Sequence, residues 1–188
     1  MWTNKVCLPY NRKRLEDVIF LKKGKEEVLL PLIMLLLSVL FIAIDQILKF
    51  LVVEYLKPVG IKTIFNDFLS LDYVENRGAA FGILQNQRWL FIVITVVISA
   101  LLIFALFRYR YHEFFSYAAS SLIVGGGIGN LIDRVLYGYV VDYIHFSFFP
   151  AIFNFGDCCV TVGTAFLLLH ILFFTGNERG PEKVLRGK

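Results

Sequence analysis

The chain has 188 residues, of which 57% are hydrophobic and 18% are charged. Soluble domains usually contain about 45–50% apolar and about 25% charged residues, so this composition argues against an ordinary water-soluble domain. The formal net charge of +4 lies mostly in the tails, where it indicates membrane orientation rather than nucleic-acid binding.

Four stretches of the sequence are apolar and long enough to cross a membrane, which takes about 20 residues of helix. They cover residues 28–53, 90–107, 114–132 and 158–175. Each is predicted to be helical, because a backbone in lipid must satisfy its own hydrogen bonds. The first stretch is too long for the core of a cleaved signal peptide, so we interpret residues 1–27 as a cytoplasmic extension or a short interfacial helix.

The distribution of basic residues predicts the orientation of these spans. Of the 19 Lys and Arg residues, 13 lie in residues 1–30, in the loop around residues 108–110 and in the tail 176–188. Because these segments share one side of a four-span protein, the positive-inside rule predicts that both termini are cytoplasmic. We therefore divide the chain into an extension (1–27), a four-span domain (28–175) and a basic tail (176–188), with outward-facing loops at 54–89 and 133–157.

The outward loops have their own structural signals. Residues 63–74 are rich in β-forming side chains that alternate with Ser70 and Asp72, which predicts a short strand. Residues 135–155 are dense in Tyr, Phe and Val, which is typical of a segment in the membrane interface.

Several polar residues lie near the span ends, where an ionisable side chain costs about 2.5–3.5 kcal/mol. Asp45 and Lys49 are four residues apart on one helical face and can pair, although a purely structural ion pair explains them equally well. Asn76 opens a small-residue turn, and the glycine-rich run 125–134 favours close helix contact. Asp133 and its neighbour Arg134 are interpreted as a local ion pair.

Asp142 and Asp157 are harder to explain structurally, because both are predicted to lie in apolar surroundings on the outward side. Two carboxylates close together in a low dielectric cannot both ionise, so one keeps a proton while the other acts as a base. That arrangement activates water without a metal or a nucleophilic side chain. It requires the chain to fold back near Pro150, since fifteen residues of helix would separate the two residues by about 22 Å.

Other chemistry has weaker support. Asp142 and His145 lack a third metal ligand unless Asp157 joins them, and no HExxH motif or serine-nucleophile signature occurs. The three cysteines, Cys7, Cys158 and Cys159, form no disulfide framework and are predicted to be free thiols. We expect neither a metal nor a cofactor.

Five ordered motifs resemble the lipoprotein signal peptidase (signal peptidase II) family, a group of bacterial intramembrane aspartyl peptidases. The motifs are DQILK (45–49), NRGAAFG (76–82), GGGIGNLIDR (125–134), VVDYIHF (140–146) and FNFGD (153–157). The resemblance covers about residues 32–175. One departure is Gly156, where the family pattern usually has alanine.

The resemblance implies an all-α membrane protein with four transmembrane helices, a small extracytoplasmic β-cradle and an interfacial segment. It implies a multi-pass enzyme of the bacterial inner membrane with its active site near the outer face, acting as a monomer among membrane lipids. Its substrate would be a diacylglyceryl-modified prolipoprotein, cut just before the lipidated cysteine. Asp142 and Asp157 would be catalytic, and the substrate-binding or supporting residues would be Asp45, Lys49, Asn76, Gly78, Asn130, Arg134 and Asn154. Among these, Asn154 would support the dyad, and Asn130 and Arg134 would hold the substrate.

Two other classes of function use the same residues. A small ion- or proton-coupled transporter could line its path with intramembrane carboxylates, but the sequence has no repeat symmetry or broken helices typical of one. A non-enzymatic membrane scaffold would use the polar residues for helix packing, but it leaves Asp142 and Asp157 unexplained.

Overall fold

The computed structural model describes residues 12–66, 68–79, 83–108 and 114–173, with side chains described from Val28 onward. Cys7 and the basic tail predicted at 176–188 lie outside these residues. Four helices of the described chain are long and apolar enough to cross a membrane. The four-span prediction is therefore confirmed.

The spans belong to four helices of unequal length. Helix α1 covers Arg12–Leu51 and continues through a π-helical turn at Val52–Leu56, and its apolar part begins at Val28. Helices α2 (Arg88–Arg108), α3 (Phe114–Leu136) and α4 (Phe155–Phe173) follow. The extension predicted at residues 1–27 is helical from Arg12 and runs into the first span without a break, rather than forming a separate helix.

A four-stranded antiparallel sheet is built from the two loops that were predicted to face outward. Strands β1 (Ile61–Phe65) and β2 (Leu69–Asn76) come from the first loop, and β3 (Val140–Phe146) and β4 (Ile152–Phe153) come from the second, in the order β1-β2-β3-β4. The single strand predicted at 63–74 is thus two strands, because the chain reverses at Asn66, which has a φ of 41°. The aromatic segment 135–155 supplies the other two strands, consistent with the β propensity of Val, Tyr and Phe.

Helix α3 is the centre of the bundle and contacts each of the other three long helices. Its buried face is made mostly of small residues, which lets the neighbouring backbones approach closely. A Cβ atom added at Gly126 would collide with the carbonyl oxygen of Gly156 in α4. At Gly125 it would lie 2.7 Å from Cβ of Phe41 in α1. The glycine-rich run therefore brings three helices together below the sheet.

Candidate active site

Asp142 lies on β3, where strand alternation directs it toward a cavity between the sheet and the helices. Val141 and Tyr143, its immediate neighbours, point the other way and pack with Val52 and Leu56 at the end of α1. The side chain of Asp142 is almost completely buried, at 1% exposure. A small hydrophobic cluster thus fixes the strand that presents this carboxylate.

Asp157 lies in the first turn of α4 and lines the same cavity. Its Oδ2 accepts a hydrogen bond from the backbone N–H of Asn154 at 3.2 Å, and its Oδ1 accepts one from the Asn130 amide at 2.8 Å. A carboxylate at a helix N-terminus is favoured by the unpaired N–H groups and the helix dipole. These contacts therefore offset part of the cost of burying a carboxylate at this position.

The chain folds back between the two aspartates, as their pairing requires. Strands β3 and β4 form a hairpin in which Ile144 lies opposite Phe153, and α4 begins two residues after β4. This hairpin carries the backbone from Asp142 around to Asp157. Asp142 and Asp157 therefore line the same cavity, although they are fifteen residues apart in the sequence.

Asn154 joins the two aspartates directly. Its side-chain amide donates to Oδ1 of Asp142 at 2.6 Å, and its side-chain oxygen accepts from the backbone N–H of Asp157 at 2.9 Å. The side chain is fully buried, so both ends of its amide are used within the protein. Asn154 thus joins the two aspartates through one side chain, and its supporting role stays a prediction.

Each of the four aspartate oxygens accepts one N–H donor, because Asn76 supplies the remaining bond to Oδ2 of Asp142 at 2.8 Å. Burial, followed by the charge of nearby Asp157, raises the pKa of Asp142 to about 7, and the bonds from Asn76 and Asn154 oppose that rise. The carboxyl of Asp142 can therefore carry a proton near neutral pH.

A buried charge cluster lies behind Asp157. Lys49 Nζ contacts Oδ2 of Asp45 at 2.8 Å, Oδ2 of Asp133 at 3.0 Å and the side-chain oxygen of Asn130 at 2.7 Å. The Asp45–Lys49 pair predicted from their spacing is present, but Lys49 is buried at 3% exposure rather than extended toward water. Asn130 links Lys49 to Asp157, because its side-chain oxygen accepts from Lys49 and its amide nitrogen donates to Asp157.

The remaining predicted residues lie at the edge of the cavity. The backbone N–H of Gly78 donates to the side-chain oxygen of Asn76 at 2.9 Å, which orients the Asn76 amide toward Asp142. Arg134 donates to the carbonyl oxygen of Gly78 at 3.3 Å, and its guanidinium lies 4.7 Å from the ring centre of Phe91. The structure thus brings all nine predicted site residues into one connected region, with Asn76, Gly78, Arg134 and the two aspartates lining the cavity.

The cavity has a volume of about 730 Å³ and is mainly apolar. Its lining includes the two aspartates together with several phenylalanines of the β3–β4 hairpin. The ring of Phe146 lies 5.5 Å from that of Phe148 and 5.8 Å from that of Phe153. A long apolar ligand can therefore enter beside the carboxylates.

His145 does not join Asp142 in a site. The two residues are three apart on a strand and therefore lie on opposite faces. Nδ1 of His145 instead contacts Oδ2 of Asp72 at 2.8 Å on β2. Within the described residues, no group of three or more His, Cys, Asp or Glu side chains is arranged to hold a metal ion.

Two contributors to the charge cluster, the buried Asp133 and the half-buried Gln46, were missed in the sequence. Asp133 was interpreted as a partner of Arg134, but its carboxylate accepts from Lys49 and, at 3.0 Å, from the side-chain amide of Gln46. Asp133 follows Asn130 by three residues, so the two share a helical face, and that spacing was the available signal. Gln46 lies within the DQILK motif and carries no charge that would mark it.

Gly156, the departure from the family pattern, occupies a crowded position. Its N–H donates to Oδ1 of Asp45 at 2.9 Å. A Cβ atom there would lie 2.9 Å from the carbonyl oxygen of Gly126 and 3.1 Å from the side-chain oxygen of Asn154. Glycine therefore lets α4 begin directly against α3, one residue before Asp157.

The chain is similar to known proteins of one family, both in sequence and in overall fold. Residues 37–173 match the family model for signal peptidase (SPase) II. The lipoprotein signal peptidase of Caldanaerobacter subterraneus is 48% identical over 72% of this chain and 92% of its own length, and that of Clostridioides difficile is 41% identical over 77% and 98%. A bacterial membrane enzyme solved by the in meso method at 2.3 Å superposes with a TM-score of 0.70 and 31% identity, covering 79% of this chain and 92% of its own.

Proposed function

The chain belongs to the signal peptidase II family, and from that premise we propose that it cleaves signal peptides from lipid-modified prolipoproteins with Asp142 and Asp157 as its catalytic pair. The proposal is carried by the placement of the two carboxylates relative to each other. Both line one cavity and both contact the buried Asn154. Family membership also favours a peptidase over the transporter that the same carboxylates allow.

In the proposed reaction, a water molecule held between the aspartates attacks the carbonyl carbon of the scissile peptide. The ionised aspartate takes a proton from the water while the protonated one donates to the carbonyl oxygen. The tetrahedral intermediate then collapses and the C–N bond breaks: the leaving nitrogen takes the proton that the base had removed from water, and the other aspartate recovers its proton from a hydroxyl group of the intermediate. The products are a peptide with a new carboxylate and a lipoprotein with a new amino terminus.

We assign the shared proton at neutral pH to Asp142 and the base to Asp157. Burial and the Asp157 charge raise the pKa of Asp142 to about 7, which favours its protonated form. Asp157 instead lies at a helix N-terminus and is linked through Asn130 to the Lys49 ammonium, and both features favour an anion. Because the two groups titrate as a pair, activity should fall at both extremes of pH.

The proposed substrate is a diacylglyceryl-modified prolipoprotein, cut just before its lipidated cysteine. The mainly apolar lining of the cavity suits acyl chains, and the carboxylates in the same lining can reach a peptide bond next to them. Arg134, whose guanidinium lines the cavity, is the proposed contact for the substrate backbone. Asn130 is expected to act mainly on Asp157, since both ends of its amide are used within the protein.

We further propose that residues 28–175 form the peptidase domain, with both termini in the cytoplasm and the active site near the outer face of the bacterial inner membrane. The sheet supports this orientation because its strands come from both outward loops, which must then lie on one side of the membrane. The basic residues of the opposite segments favour the cytoplasmic side. The enzyme is expected to act as a monomer.

The test uses the purified full-length protein in detergent micelles with a diacylglyceryl-modified prolipoprotein. Cleavage by the wild type should give a product whose new amino terminus is the lipidated cysteine, identified by mass spectrometry. Asp142→Asn and Asp157→Asn should each lower kcat by at least about 1,000-fold, since each removes one partner of the proton transfer. Glu54→Gln, an acid-to-amide change at an exposed position, is the matched control and should keep wild-type activity.

Different results contradict different parts of the proposal. Full activity in either aspartate variant would refute the catalytic pair. Equal cleavage of the same precursor without its lipid would refute the substrate class. A product cut elsewhere in the chain would refute the cleavage position.

A further inference from the structure

Asp133 has no role in the proposed reaction, yet it is buried at 1% exposure. Its carboxylate accepts hydrogen bonds from two other elements, α1 and β3. Its Oδ2 contacts Lys49 Nζ at 3.0 Å, and its Oδ1 accepts from the Gln46 amide at 3.0 Å, both from α1. Its Oδ2 also accepts from the backbone N–H of Val141 at 3.1 Å, at the start of β3. Three donors on one buried carboxylate exceed what a simple counter-ion needs.

The contact with Val141 is important because Val141 immediately precedes Asp142. The hydrogen bond fixes the backbone of β3 against α3 at the residue before the carboxylate. Tyr137 N–H also donates to the carbonyl oxygen of Asp133 at 2.8 Å, so the turn between α3 and β3 is held at Asp133 at both its backbone and its side chain. A shift of β3 would move Asp142 directly.

The same cluster reaches the other aspartate by a separate route. Asp45, which shares Lys49 with Asp133, accepts the N–H of Gly156 at the start of α4, the residue before Asp157. The two carboxylates that flank Lys49 therefore each hold the backbone N–H just before one member of the proposed pair. This arrangement couples the positions of β3 and α4 through one ammonium group.

We propose that Asp133 is a positioning residue for Asp142. Its bonds to Val141 and Lys49 hold β3 in place relative to α4. The inference rests on the proposed function, because it assigns a role in placing the catalytic pair. Arg134, the other charged neighbour of Asp133, donates instead to the carbonyl oxygens of Asn130 and Gly78. The Asp133 carboxylate is therefore bound by groups of α1 and β3 and not by the guanidinium of Arg134.

The test is Asp133→Asn in the purified full-length enzyme, assayed for kcat, KM and the pH dependence of kcat with the lipidated prolipoprotein. The variant keeps the side-chain shape, and Lys49 retains Asp45 as its counter-ion, so no buried charge is left unpaired. A displacement of Asp142 of about 1 Å should lower kcat by about 100-fold while KM stays within about threefold. A displaced Asp142 should also change the pH dependence of kcat, because its pKa depends on its distance from Asp157 and on its bonds to Asn76 and Asn154.

Each outcome decides the proposal. Wild-type kcat and an unmoved pH profile in Asp133→Asn would overturn it. A lower kcat that matches the lost fraction of folded protein, again with an unmoved profile, would show a purely structural residue and would also overturn it. If the Asn variant does not accumulate in membranes, Asp133→Glu decides. It keeps the charge but moves the carboxylate, so full activity there would refute positioning. A wild type that does not cleave the substrate would contradict the proposed function instead.

Discussion

Asp142→Asn should separate catalysis from stability, because the buried carboxyl that is proposed to serve the reaction is costly to ionise in the folded protein. Burial raises its pKa from the ordinary value of 3.8 to about 7. The folded state therefore binds this proton more tightly than the unfolded state does. The contribution of Asp142 to stability is greatest below pH 4, decreases as the pH rises toward 7 and is constant above that.

The size of this change in stability follows from the difference between the ordinary pKa of Asp142 and its pKa in the folded protein. A pKa difference of about three units corresponds to about 4 kcal/mol, which is an upper limit because Asn76 and Asn154 can adjust around the anion. For a chain of this size, that upper limit corresponds to a change in Tm of about 8–16 °C. The neutral Asn side chain has no such dependence. The Tm difference between variant and wild type should therefore shift in favour of the variant between pH 4 and pH 7.

The assay is thermal unfolding in detergent micelles at several pH values, alongside cleavage of the lipidated prolipoprotein. We expect the variant to lose activity at every pH and to lose part of the pH dependence of Tm seen in the wild type. Glu54→Gln, at an exposed site, should keep a constant Tm difference from the wild type. A variant whose Tm follows pH in parallel with the wild type would show that Asp142 has no raised pKa, and the proton assignment would fail.

Other changes test the surrounding structure. Asn154→Ala removes the hydrogen-bonded bridge between the aspartates and should lower kcat in the cleavage assay by about 10–100-fold. A wild-type kcat would contradict the role of the bridge. Lys49→Met leaves two buried carboxylates without their cation and should destabilise the fold by about 3–5 kcal/mol in denaturant unfolding; an unchanged midpoint would refute this. Gly156→Ala should cost about 1–3 kcal/mol, whereas Gly127→Ala, whose Cβ would meet only a Thr95 methyl at 3.3 Å, should cost less; equal costs would contradict the close approach. Strong chelation should leave kcat unchanged, and a loss would point to a metal.

The membrane architecture could be predicted because it depends on a strong, local signal. A run of about 20 apolar residues has few alternatives to a spanning helix, and all four runs became spans. The sheet was predicted only in part, because its pairing depends on two loops far apart in sequence. Strand β2 meets β3 with Val74 opposite Asp142, a contact that no local pattern specifies.

The candidate site was predicted unevenly for a related reason. Charged residues in apolar surroundings stand out, so Asp45, Lys49, Asp142 and Asp157 were singled out by their cost, and their site roles were then assigned from the family resemblance. Asp133 also carries a charge, but an adjacent arginine offered a local partner that made it look explained. The structure shows that neighbours in sequence can point to different partners on a helix, since Asp133 contacts α1 and Arg134 contacts Gly78.

The proposed active site depends on small residues as much as on charged ones. Asp45 lies so close to Gly129 that a Cβ atom there would overlap its carboxylate, and the Gly126–Gly156 contact brings α4 against α3 at the same level. Only this close approach lets Asp45 accept the Gly156 N–H and lets Asn130 reach Asp157 at 2.8 Å. A larger residue at either contact would lengthen these bonds before it touched a carboxylate of the pair. The glycine-rich run, which resembles a packing motif when considered alone, therefore sets how closely α1, α3 and α4 approach one another beside Asp157.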